Sequence, residues 1–156
     1  MWENGLSNLG SDVIRITGSG SVSWLAHSDK AEMIVTGRQE VWRLPHPSQE
    51  FERGPEVHLT EGTLTVRYDF ETEAGGYKWA SFRFEDVSAF EFLREELCGP
   101  DQFEALDKLL EVRDSPWLKM LQESRRLGPG QVHHYRIYFD DYGCYEVLSA
   151  TFLAEN

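Results

Sequence analysis

The chain predicts an α+β domain: a strongly twisted antiparallel sheet, one or two helices over about 100–127 packed on one face, and a C-terminal β-hairpin. Three observations carry this. Short β-favouring runs of period two fill residues 12 to 92, the period changes to about 3.6 after Gly99-Pro100, and residues 133–148 spell two strands around Asp140-Asp141-Tyr142-Gly143.

The runs at 13–17, 22–25, 33–36 and 41–44 are rich in Val, Ile, Trp and Thr and are separated by Gly, Ser, Asp and His, which is the pattern of a meander. Residues 45 to 55 hold three of the six prolines and are expected to form a surface connection. The clearest alternation follows. Leu64, Val66, Tyr68 and Phe70 share one face, with Thr63, Thr65, Arg67 and Asp69 on the other, and Glu61-Gly62 before them suits a hairpin turn. Glu73-Ala74-Gly75-Gly76 bends the chain into a second strand whose Ala80, Phe82 and Phe84 join the inner face. Residues 87–92 read as a strand, and 91–97 read equally well as a helical turn.

Pro100 suits a first helical position and Asp101 the positive end of the helix dipole. Phe103, Leu106, Leu109 and Leu110 then make an apolar stripe, with Glu104 and Lys108 paired outside. A second helix is expected from Ser115 as N-cap with Pro116 at its first position, Trp117, Leu118 and Leu121 inward, and Gly128 after its end. In the final hairpin, a type I turn followed by a left-handed Gly143 gives a three-residue loop, 141–143. That register sets Phe139 opposite Tyr145 and Ile137 opposite Val147, and leaves Arg136, Tyr138 and Glu146 together on an exposed outer face.

At 156 residues, with 40% hydrophobic and 13% aromatic side chains, the chain reads as a single globular domain, 1–156. A domain of this size buries roughly 68–70% of its unfolded surface, so the fold needs no metal and no disulfide. Net charge is −12, which disfavours nucleic acid and anionic membrane as partners. The acidity is concentrated: residues 50 to 111 hold 16 acidic against 6 basic side chains, leaving 11 against 9 elsewhere. Cys98 and Cys144 lack metal or redox spacing and read as free thiols. With no leader-like N-terminus and no long apolar run, a cytoplasmic location is expected.

Motifs with chemical potential have bland readings here. Gly18-Ser19-Gly20-Ser21 lacks the spacing and the lysine of a phosphate loop and reads as a turn. His133 and His134 point to opposite faces of a strand, and His27, His46 and His58 are scattered, so no metal centre is expected. Asp140-Asp141 are turn residues, and Cys144 reads as a small buried hydrophobe.

The layout, with its closing hairpin His134-Tyr135-Arg136-Ile137-Tyr138-Phe139-Asp140-Asp141-Tyr142-Gly143-Cys144-Tyr145-Glu146, resembles small acidic bacterial proteins of the immunity type and uncharacterised single-domain proteins. The resemblance covers the general plan and carries over no functional residue. It implies a non-enzymatic, cofactor-free domain that holds a basic protein partner on acidic and aromatic surface. Glu71, Glu73, Tyr77, Arg136, Tyr138 and Glu146 are the candidate partner-binding residues, being exposed acids and the Tyr and Arg types enriched in interface hot spots. Two other classes stay open: a small hydrolase-like enzyme whose site is assembled from dispersed His, Asp and Cys residues, and a small-ligand accessory domain.

Overall fold

The computed structural model describes residues 14–16, 21–27, 30–124, 126–127 and 131–154. The described residues fall into two compact units, within 1–38 and 39–156. The first holds β1 (Ile14–Ile16), β2 (Ser21–His27) and β3 (Lys30–Thr36) in a three-stranded antiparallel sheet of order β1-β2-β3, as a meander requires. The turn expected at Gly18-Ser19-Gly20 lies outside the described residues.

The second unit is mostly β. A five-stranded sheet runs β4-β9-β10-β11-β8, from β4 (Arg38–Arg43), β8 (Ala89–Leu93), β9 (Lys108–Val112), β10 (His133–Phe139) and β11 (Gly143–Ser149). A four-stranded sheet runs β12-β7-β6-β5, from β5 (Glu56–Thr60), β6 (Thr63–Glu71), β7 (Tyr77–Glu85) and β12 (Thr151–Ala154). Two short helices, α1 (Pro100–Phe103) and α2 (Pro116–Glu123), complete it. Among the described residues no helix is long and apolar enough to cross a membrane.

The core lies between the sheets. Leu64, Val66, Tyr68, Phe82 and Phe84 meet Leu109, Tyr135, Ile137, Phe139 and Val147 in one buried cluster. Each such side chain contributes about 1.5–3 kcal/mol when fully buried. The alternation in β6 and β7 is therefore a true inner face, and Glu61 and Gly62, with φ of 49° and 80°, close the turn before it. The 45–55 connection is more than surface: Phe51 stacks on Tyr68 at 5.2 Å, and Ser48, 1% exposed, donates its backbone N–H to Asp107 Oδ1.

A second sheet, not helices, covers the inner face of the C-terminal hairpin; the helical segments cover the opposite face. The long helix expected across 101–110 is replaced by α1, a turn and β9. Asp107 takes φ 54°, which ends helical propagation, and Leu109 and Leu110 then point to opposite sides of a strand buried on both. Leu109 joins the inter-sheet core, while Leu110 joins Ala105, Tyr138 and Cys144 under the helical segments. Leu106 and Phe103, expected inside, are 40% and 45% exposed. The second helix begins as expected, with Ser115 Oγ accepting the Leu118 N–H at 3.0 Å and Pro116 at the first position. Residues 89–93 form a strand, and Glu95–Leu97 a single 3₁₀ turn.

The hairpin register differs from expectation by two residues. Phe139 pairs with Gly143, Ile137 with Tyr145, Arg136 with Glu146 and Tyr135 with Val147. The loop is Asp140 to Tyr142. Asp141 as well as Gly143 takes positive φ, 64° and 111°, and the Tyr142 N–H bonds Phe139 O, so the turn is not type I. Gly143 also lets β8 approach closely, because a Cβ at this position would collide with the Leu93 carbonyl oxygen. A shift of two preserves the faces, so the apolar side remains inward.

Candidate functional site

Two groups of side chains stand out, and they divide the expected partner-binding residues between them. The first is on the helix-covered face of the hairpin. Arg136 and Glu146, paired directly across β10 and β11, are buried at 8% and 6% exposure, and Tyr138 at 3%. Their expected outward exposure is corrected by α1 and the start of α2, which close over this face.

The geometry there is fully satisfied. Arg136 grips Glu146 through two bonds, Nε to Oε1 at 3.0 Å and a terminal nitrogen to Oε2 at 3.1 Å, and gives a third to Asp101 O at 3.1 Å. Gln102 Nε2 donates to Glu146 Oε1 at 3.3 Å, while its own Oε1 receives the Gly99 N–H. His134 bridges Glu146 Oε2 at 2.6 Å and Ser115 Oγ at 2.7 Å. The Nδ1 side of the ring thus meets the Ser115 hydroxyl and the Nε2 side meets the carboxylate. Burial alone pushes the Glu146 carboxyl up, but the bonds from His134 and Arg136 and the electrostatic pull of both outweigh it and hold the group at about 2. Trp117 stands edge-on to the His134 ring at 5.4 Å.

Ser115, His134 and Glu146 are the side-chain types of an acyl-transfer triad. Here the hydroxyl is 1% exposed and committed to the cap of α2, and the carboxylate is committed to Arg136. In this closed arrangement a substrate carbonyl does not reach Oγ. The arrangement fixes helix to sheet.

The second group is at the far end of β6 and β7. Glu71 pairs with Tyr77 and Asp69 with Trp79, and the turn between them carries Glu73. Tyr77 is 48% exposed and Trp79 37%. Loss of hydration and the charges of Glu52, Glu71 and Asp69 raise the Tyr77 phenol above its ordinary value, so these acids act on one spot. Asp69 itself is buried and accepts the Glu52 and Arg53 N–H groups, which pins residues 52–53 beside the aromatic pair. Arg67 lies over the Trp79 ring at 4.8 Å.

A third set, Glu95, Asp140 and Asp141, brings three carboxylate oxygens within 4.8 Å of one another. One of the three is already engaged, since Asp140 receives Gln49 Nε2 at 2.6 Å; burial and the charges of Glu95 and Asp140 raise the nearby Tyr138 phenol to about 12. His133 bonds Glu111 at 2.6 Å on the face opposite His134, as the strand alternation requires. Cys144 is fully buried and its thiol is pushed up by burial; Cys98 is also a free thiol.

No protein-family model, curated protein or solved structure matches the chain. Sequence reasoning missed the roles of Ser115, His134 and Gln102 around Glu146. The available signal was the run of polar side chains at alternate hairpin positions, His134, Arg136 and Glu146, which reads as a solvated face until a covering layer is placed over it.

Proposed function

We propose that the chain is a non-enzymatic protein-binding domain, immunity-like in plan, that holds a basic partner on the acidic and aromatic end of β6 and β7. The observation that carries this reading is Glu71 standing across from an exposed Tyr77, with Trp79, Glu73 and Glu52 around it. Exposed Tyr and Trp supply large contact area at small entropic cost, and the surrounding carboxylates raise the association rate of a cationic surface. Arg136, Tyr138 and Glu146 take no direct part. Their place is beneath the helices, where they hold the hairpin that carries the core.

The test is kinetic. A partner captured on the immobilised chain from an extract of the source cell is purified, and its association is followed over a range of salt. Glu71→Lys with Glu73→Lys slows association several-fold, and the wild-type rate falls as salt shortens the Debye length below about 8 Å. Tyr77→Ala speeds dissociation. Rates indifferent to salt and to both sets of substitutions overturn the reading.

A further inference from the structure

The five-stranded sheet has an edge that the sandwich does not use. β8 is its last strand, paired with β11 on one side and, among the described residues, with no strand on the other. By register Phe90 lies beside Val147 and Phe92 beside Tyr145, so both belong to the inner, core-facing side of the sheet. Yet they are 41% and 43% exposed. The reason is the offset of the two sheets. β4, at the opposite edge, is covered, since Trp42 packs on Phe82 and Phe152 at 5.1 and 5.6 Å. At the β8 edge the other sheet ends in β5, whose inward-facing Leu59 is 52% exposed, and the Val87 N–H bonds Gly62 O where β8 begins. Two edge strands therefore leave their apolar inner faces open along one side.

Edge strands template further pairing, and natural proteins commonly protect them with lysine, proline or a bulge. β8 reads Ala-Phe-Glu-Phe-Leu and has none of the three. Its charge is acidic. Glu91 is exposed at the centre of the strand, and its cross-strand neighbour Glu146 is already neutralised by Arg136. Downstream, Arg94 lies 3.6 Å from Glu96, and among the described residues Glu91 and Glu95 have no ion-pair partner. A second copy of this chain pairing antiparallel through β8 sets Glu91 against Glu91, which is unfavourable.

We infer that β8 accepts an extended basic segment of a partner protein as a sixth strand. The added strand alternates apolar residues, which pack on Phe90, Phe92 and Leu59, with Lys or Arg, which meets Glu91. Main-chain bonds supply affinity and the alternation supplies selectivity. This surface is separate from the β6–β7 end, and the inference stands without that reading.

The probe is a dye-labelled peptide, Val-Lys-Val-Lys-Val, titrated with the full chain and read by fluorescence anisotropy. Two further peptides carry N-methyl groups on alternate amides, one blocking each edge of the peptide strand. The inference expects the parent to bind and one N-methylated form to lose at least about tenfold in affinity while the other binds as the parent does. Glu91→Lys weakens the parent about tenfold, and Glu71→Lys with Glu73→Lys leaves it unchanged. The protein is identical across the three peptides, so a folding defect cannot mimic the N-methyl result. Absence of binding, equal binding of all three peptides, or loss on charge reversal at Glu71 and Glu73 overturns the inference, as does a wild-type dimer in sedimentation that the peptide fails to dissociate.

Discussion

Replacing Arg136 by Met is the sharpest test of the buried network. The guanidinium makes two bonds to Glu146, at 3.0 and 3.1 Å, and one to Asp101 O, with both side chains under one tenth exposed. Removing it leaves a buried carboxylate with only His134 and Gln102 as partners. Breaking such a pair costs about 3–5 kcal/mol, and Glu146→Leu, which strands the guanidinium, costs as much. With a urea slope of about 2 kcal/mol/M, each single substitution lowers the denaturation midpoint by about 1.5–2.5 M. The double substitution removes both charges at once and is expected to recover most of the loss. What remains is about 1–3 kcal/mol for the His134 Nε2–H, now without an acceptor. Urea titrations of the four proteins give a coupling of about 3–9 kcal/mol, at or above the upper end for neighbouring residues. Single variants within about 1 kcal/mol of wild type, or a double variant whose loss is the sum of the singles, would refute the reasoning and return these residues to a solvated face.

Other outcomes follow from particular atoms. Glu146 is held at about 2 against an ordinary 4.5, so its contribution, about 3 kcal/mol, is complete above pH 4.5 and is lost as pH falls towards 2; Glu146→Gln should flatten that limb of the stability curve, and an unchanged acid limb would count against the assignment. Gly143→Val places a Cβ against Leu93 O at a φ of 111° and should cost about 2–4 kcal/mol, read as a fall in thermal midpoint; an unaltered midpoint would deny the close approach of β8. Truncation after Gly130 removes β10 and β11, the central strands of the five-stranded sheet, and should abolish cooperative melting. Both cysteines are free, so reductant should leave the thermal midpoint where it is, and chelator likewise; a drop of several degrees with chelator would point to Glu95, Asp140 and Asp141.

What the sequence made legible, and what it did not, divides along local and non-local physics. The period-two pattern of Leu64, Val66 and Tyr68 located a buried face because half-burial acts on each residue separately. Ser115-Pro116 located a helix start because capping is settled within four residues. Residues 108–112 failed for a complementary reason. Two adjacent leucines suit either a helical stripe or a strand buried on both sides, and only the sheet partner, with Glu111 beside Tyr135, decides between them. The hairpin faces were right and the register was off by two, since Asp141 accepted a positive φ that sequence reasoning reserved for Gly143. Of the candidate site, Glu71, Glu73 and Tyr77 were recognisable because their exposure follows from a short turn. Arg136, Tyr138 and Glu146 were not, because their burial depends on segments 30 or more residues away in the chain, such as Asp101.

Zero-length carbodiimide cross-linking of the complex tests the central claim directly, because it joins a carboxylate only to an amine already in salt-bridge contact. Mapped by mass spectrometry, the cross-links are predicted at Glu71 and Glu73 to lysines of the partner. Cross-links confined to acidic residues away from the β6–β7 end, such as Glu40, Glu104 or Asp114, would contradict the account.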